Sequence, residues 1–247
     1  MSGHSKWAQI KRQKGTADIK RGQAFTKLAN AITIAVRQGG GIADPDANFR
    51  LRLAIEKARQ SNMPKENIER AIRRASGKEG GDLEEAVYEG YGPGKVAVMV
   101  EVATDNKQRT AGEIRNIFDR EGGVLGSKGS VSYLFESVGQ ISVPKKEKNA
   151  DDIMLVAIDS GAQDVEETTE TVEIYTKPED LNRVKEAVKE KGLDVSSAEL
   201  EMKPQTTVAV TDPQMAQKIL AFIEKLENLD DVQRVFANFD IPDELLS

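Results

Sequence analysis

Residues 139–202 read GQISVPKKEKNADDIMLVAIDSGAQDVEETTETVEIYTKPEDLNRVKEAVKEKGLDVSSAELEM, and their pattern decides the fold class. Short apolar runs predict strands over 139–143, 164–167, 171–175 and about 197–202. Apolar residues at helical spacing predict helices over 150–160 and 178–191. The order strand, helix, strand, strand, helix, strand is that of a split βαβ, ferredoxin-like unit.

Working outward, turn residues Tyr88-Glu-Gly-Tyr-Gly-Pro-Gly94 lead into a buried strand, Val96–Val102. A helix over 108–121 and a strand over 131–135 follow. Beyond residue 204 come a strand at 206–210, a helix from Asp212-Pro213 to about Leu226, and a strand over 232–239. The elements on either side of 136–204 predict one discontinuous α+β domain, 79–135 and 205–247, with 136–204 inserted in it.

The N-terminal part is different. Phe25, Leu28, Ala29, Ile32 and Val36 recur at helical spacing and predict a helix from about Thr16 to Arg37, stopped by Gly39-Gly40-Gly41. Asp44-Pro45, a capping acceptor followed by a proline suited to a first helical position, predicts the start of a second. Its apolar stripe is Ala47, Leu51, Ala54, Ile55 and Ala58. A third runs from near Pro64 to Gly77 with Ile68, Ala71, Ile72 and Ala75 inward. Residues 1–78 are therefore expected to be a basic tail plus a small three-helix domain.

Charge divides the chain in the same place. Residues 1–78 hold 17 Lys and Arg against 6 Asp and Glu, while the remainder holds 18 against 35, so a net charge of −6 conceals a basic segment on an acidic body. Such asymmetry points to a polyanionic partner. The first 27 residues, MSGHSKWAQIKRQKGTADIKRGQAFTK, carry the only His and the only Trp. Lys6, Lys11, Arg12, Lys14, Lys20, Arg21 and Lys27 are expected to meet phosphates, with His4 and Trp7 beside them and the indole offering a face to an unstacked base. Arg50, Arg52, Arg73 and Arg74 extend the cationic surface onto the folded helices, where the plain alternative is a solvated face of long cations.

Catalytic chemistry is poorly supplied. There is no Cys, so no thiolate nucleophile, disulfide or Cys-ligated metal is available. His4 has no orienting partner in sequence. The acidic pairs Asp151-Asp152, Glu166-Glu167 and Asp230-Asp231 fall at element ends, where structural or solvating roles suffice. Gly122–Ser130 lacks the strand-before, helix-after order of a phosphate loop, and Lys128 is followed by Gly129. It is expected to be a turn, with capacity for an anion contact. Neither a metal nor a cofactor is expected, and binding is favoured over catalysis. The N-terminus lacks the apolar core of a signal peptide and no run of 18 apolar residues occurs, so the expectation is a cytoplasmic protein with no membrane partner.

The combination Gly3-His-Ser-Lys-Trp-Ala8, Lys20-Arg-Gly22, Arg37-Gln-Gly-Gly40, Asn62-Met-Pro64, Tyr88–Gly94, Thr104-Asp-Asn106, Arg109-Thr110, Gly129-Ser-Val131, Asp230-Asp-Val-Gln233 and Asn238-Phe-Asp240 resembles the YebC/PmpR family. The resemblance spans the chain. It implies an α+β protein of three domains, an N-terminal three-helix domain and two α+β domains, one ferredoxin-like and inserted in the other, around a cleft. It also implies a DNA-binding transcriptional regulator. Related proteins act in translation, which gives the alternative of a ribosome- or rRNA-associated factor that aids synthesis through proline-rich stretches.

Overall fold

In the computed structural model, residues 19–76, 83–145, 149–242 and 245 are described. The tail residues His4, Lys6, Trp7, Lys11, Arg12 and Lys14 lie outside them, as does Gly77. Helix α1 (Ile19–Gln38) buries Ile32, Ala35 and Val36. It stops because Gly40 and Gly41 adopt φ of 70° and 81°. Their N–H groups turn back onto the carbonyls of Arg37 and Val36 and satisfy two of the orphan acceptors at the helix end.

The second helix starts later than the Asp-Pro signal predicts. Residues 44–48 form a separate turn: the N–H groups of Ala47 and Asn48 donate to the Asp44 carbonyl, and the Asp46 N–H donates to Asp44 Oδ1. Helix α2 (Phe49–Gln60) then begins on Asn48, whose Oδ1 accepts from the Leu51 N–H at 3.1 Å. The Asn48 Nδ2 group donates to the carbonyls of Ala35 and Ile42, both at 2.9 Å. One buried side chain thus caps α2 and fastens it to α1. Helix α3 (Lys65–Ser76) closes this helical core through Ile68 and Ala71.

A four-stranded antiparallel sheet follows, in the order β3-β1-β2-β9, from β1 (Glu84–Tyr91), β2 (Ala97–Thr104), β3 (Val124–Leu125) and β9 (Val232–Ala237). Strand β1 takes in Tyr88–Tyr91, read above as turn; the turn itself is confined to Gly92–Lys95, where Gly94 and Lys95 have positive φ. Val96, Val98, Val100 and Val102 pack with helices α4 (Lys107–Glu121) and α7 (Pro213–Glu227). Phe118 of α4 meets Phe222 of α7 edge to face at 5.0 Å, a favoured aromatic geometry. Two short strands, β8 (Val208–Ala209) and β10 (Phe239–Asp240), pair in parallel beside this core.

Residues 135–205 form a second compact unit; the helices α1–α3 and the sheet just described belong to the first. In the second, β4 (Phe135–Pro144), α5 (Ala150–Asp159), β5 (Asp164–Glu167), β6 (Thr171–Thr176), α6 (Leu181–Glu190) and β7 (Ser197–Pro204) follow in chain order. The sheet order is β5-β6-β4-β7 with every neighbour antiparallel, the split βαβ connectivity. Strand β4 is longer than the sequence suggested and starts at Phe135, after a short 3₁₀ turn at 132–134 where a strand was expected. No described helix is long and apolar enough to cross a membrane.

Candidate nucleic-acid interface

The basic surface is built on α2 and α3, because their apolar stripes turn inward and leave the intervening cations outside. Residues 19–76 hold 12 Lys and Arg against 5 Asp and Glu. On α3, Lys65, Arg70, Arg73 and Arg74 are exposed. Glu69 lies 3.7 Å from Lys65 and 3.9 Å from Arg73, long and solvated pairs that leave both cations available at little cost. Arg70 donates to Asn67. Arg73 and Arg74 occupy the last turn of α3, where the helix dipole favours positive charge. Arg59 and Arg74 make no ion pair among the described residues.

Other expected contact residues have internal partners. Lys27 donates its ammonium to the Glu227 carbonyl at 2.5 Å, capping the C-terminal end of α7 and tying α1 to it. Arg52 donates from Nε to the Pro45 carbonyl and from Nη2 to that of Asp46, each at 3.0 Å, and so fixes the turn before α2. Arg50 is exposed but donates to Gln38 Oε1 at 2.6 Å, and Gln38 in turn donates to Glu85 at 2.7 Å. Lys20 and Arg21 lie in the first turn of α1; their side chains are outside the description. Arg59, Lys65, Arg70, Arg73 and Arg74 are thus exposed on α2 and α3, while Lys27 and Arg52 also serve the fold.

The acidic groups considered for chemistry are largely accounted for. Asp231 accepts from Arg109 at 2.7 Å, Thr110 Oγ1 at 2.6 Å and Thr104 Oγ1 at 3.0 Å. Burial pushes its carboxyl up, but these donors outweigh burial and hold it below the usual range. Asp151 and Asp152 sit in the first turn of α5, where their charge complements the helix dipole. Glu166 joins Asp164 around Lys203, whose ammonium also lies 3.7 Å from the centre of the Tyr175 ring. Among the described residues there is no metal-binding cluster of carboxylates and imidazoles.

The loop 122–134 does contain an anion contact, and the anion is the protein's own. Glu89, 4% exposed on β1, accepts from the N–H groups of Gly129, Val131 and Ser132 at 2.8, 2.9 and 2.8 Å. Burial raises its pKa, and the three backbone donors more than offset this, so the carboxyl remains ionised below its ordinary range. The sequence placed no partner near Glu89, because the donors lie 40 to 43 positions away.

The family model described as "TACO1/YebC protein N-terminal domain" matches residues 5–78, and that described as "TACO1/YebC second and third domain" matches 83–239. A protein of Dictyoglomus turgidum, named "Probable transcriptional regulatory protein", is 51% identical over all of this chain and 98% of its own length. One of Moorella thermoacetica with the same name is 52% identical, covering 98% of this chain and 96% of its own. The crystal structure of a conserved hypothetical protein from Aquifex aeolicus superposes with a TM-score of 0.85 at 48% identity, covering 93% of this chain and 94% of that one. With both of its domain models matched in order along one chain, the protein belongs to the TACO1/YebC family.

Proposed function

We propose that this protein is a non-enzymatic regulator of gene expression that binds nucleic acid through the cationic face of its helical region, acting on DNA in transcription. The observation that carries the reading is the exposed cluster on α2 and α3: Arg59, Lys65, Arg70, Arg73 and Arg74, paired weakly or not at all among the described residues. Cations held this way can exchange solvent for phosphate without breaking a buried contact. The name shared by the bacterial relatives agrees with a regulator. The cations of the tail, Lys6, Lys11, Arg12 and Lys14, would add phosphate contacts, with His4 and Trp7 beside them.

Nothing in the sequence resembles the base-reading helix of the familiar modules, so phosphate contact is the expected source of affinity. The test is fluorescence anisotropy of the full chain with a labelled duplex, comparing the unaltered protein with Arg73→Glu/Arg74→Glu. Two phosphate contacts turned into repulsions should weaken binding by about tenfold or more. Equal affinities would reject this face as the interface.

A second reading, a ribosome- or rRNA-associated translation factor acting in the cytoplasm, is favoured by one observation. Tyr91 at the end of β1 and Tyr133 in the turn 132–134 are exposed, and unpaired RNA bases stack on such rings. Sedimentation of a lysate through a sucrose gradient separates the two readings. Comigration with ribosomal subunits after DNase treatment supports translation, and absence from ribosomes with retention on DNA supports transcription.

A further inference from the structure

We infer that Tyr91, Val124 and Tyr133, with Lys128, form a second contact surface that takes unpaired bases of a single-stranded nucleic acid. The inference rests on the nucleic-acid reading above and adds to it a ligand class and a place. Val124 is 67% exposed, Tyr133 66% and Tyr91 37%. Tyr91 and Val124 are direct cross-strand partners in β1 and β3, so their side chains share one face of the sheet. The Tyr91 hydroxyl donates to the Ser130 carbonyl at 3.4 Å, on the loop that carries Tyr133 three residues further on. Three apolar side chains are thus brought onto one patch by residues 91, 124 and 133.

The patch is held in shape. Glu89 fixes the backbone at 129, 131 and 132 from beneath, and the Gly126 N–H donates to the Glu89 carbonyl at 2.8 Å. Gly90 and Gly123 leave no room for a Cβ, which would meet the Val124 carbonyl oxygen at 2.5 Å and the Tyr91 carbonyl oxygen at 2.7 Å. The end of β1 and an anchored loop therefore display the rings of Tyr91 and Tyr133 to solvent. Preorganised rings lose little freedom on stacking.

Charge selects the occupant. Lys128 is exposed on the same loop, between Val124 and Tyr133. It is in no ion pair among the described residues, while Glu121 is neutralised by Lys225 at 2.5 Å. A loop that presents an exposed ring and an exposed ammonium matches a base face and its phosphate. The other exposed apolar pair, Leu155 and Ile158 on α5, is accompanied by Asp151, Asp152 and Asp159 and has the opposite charge for such a ligand.

The experiment measures binding of the full chain to a labelled unstructured RNA, to a DNA strand of the same sequence, and to the corresponding duplex. The variants are Tyr133→Ala, Tyr133→Phe, Lys128→Ala and, as a control on the helical face, Arg73→Glu/Arg74→Glu. Tyr133→Ala should weaken single-strand binding by about tenfold, Tyr133→Phe should restore most of it, and duplex affinity should change by less than about twofold. Loss on both strands assigns the patch to base stacking; loss on RNA alone assigns it to RNA. Unchanged single-strand affinity in Tyr133→Ala and Lys128→Ala, with Arg73→Glu/Arg74→Glu still impaired, would overturn this inference and leave the helical interface standing. An unaltered chain that binds none of the three probes would overturn both. Intact strand binding together with lost ribosome comigration in Tyr133→Ala would make the patch a protein contact and also overturn it.

Discussion

Replacing Glu89 by Gln removes one charge from the interior and changes nothing in volume. In the native protein Oε1 accepts the Gly129 N–H, and Oε2 accepts those of Val131 and Ser132. The Gln amide has one acceptor oxygen. Whichever way it turns, its NH₂ faces at least one backbone N–H, donor against donor, in a site that is 4% exposed. Hydrogen bonds to a charged group contribute about 1.5–3 kcal/mol each, and an unsatisfied buried donor costs about 1–3 kcal/mol. Losing one such bond and the charge assistance of the others gives a destabilisation of about 3 kcal/mol, or about 6 to 12 °C in midpoint for a unit of this size.

Hydrogen exchange of the amides of Gly129, Val131 and Ser132 reads the effect at its source. All three should lose protection in Glu89→Gln, together with a lower thermal midpoint by circular dichroism. The pH dependence has a definite sign. Because the folded carboxyl titrates below its ordinary value near 4.5, its stabilisation is complete above that value and fades only as pH falls through the depressed one. Unaltered exchange at the three amides, or a midpoint within a degree of the native one, would refute this account of the loop.

Asn48→Ala should destabilise the helical region by about 2–3 kcal/mol in urea titration, since it removes a cap and leaves the carbonyls of Ala35 and Ile42 without their side-chain donor. Asn48→Asp should fail to rescue it, because Asp caps α2 but cannot donate to those carbonyls. Gly139→Ala should destabilise the unit 135–205 by about 1–3 kcal/mol, as the new methyl would lie 2.4 Å from Thr176 Oγ1 and 2.8 Å from Leu181 Cβ; proteolysis within that unit at mild denaturant is the readout. Asp231→Ala should lower stability and increase exchange at the start of α4, because Thr104, Thr110 and Arg109 lose their common acceptor.

Much of the architecture is legible in periodicity. The stripe of α1, the alternating valines of β2 and the order of elements in 139–202 each reflect burial, and burial is written in local pattern. What escaped depends on partners distant in sequence. Strand β1 is disguised by Glu84, Glu85 and Glu89 and by Gly90, yet Glu89 is satisfied by a loop 40 residues on and Gly90 is small because α4 and β3 crowd it. Asp44-Pro45 and Asn48 are both plausible caps; two carbonyls of the preceding helix and turn decide for Asn48.

The interface shows the same limit. Lys27 and Arg52 look like phosphate ligands by residue type, and their backbone-carbonyl partners give them structural work as well. Tyr91, Val124 and Tyr133 are separated by up to 42 positions, and only the β1–β3 register and the Glu89 anchor bring them together. Arg73 and Arg74, by contrast, could be read directly, since a helical stripe that buries Ile68 and Ala71 leaves them outside.

The most direct measurement is the affinity of the full chain for a duplex DNA as a function of salt. If the cationic face and the tail neutralise at least about four phosphates, log Kobs should fall linearly with log salt concentration with a slope of about −4 or steeper. Arg73→Glu/Arg74→Glu should make that slope shallower by about 2. A slope near zero, or one unchanged by the double substitution, would contradict a phosphate-binding role for this face.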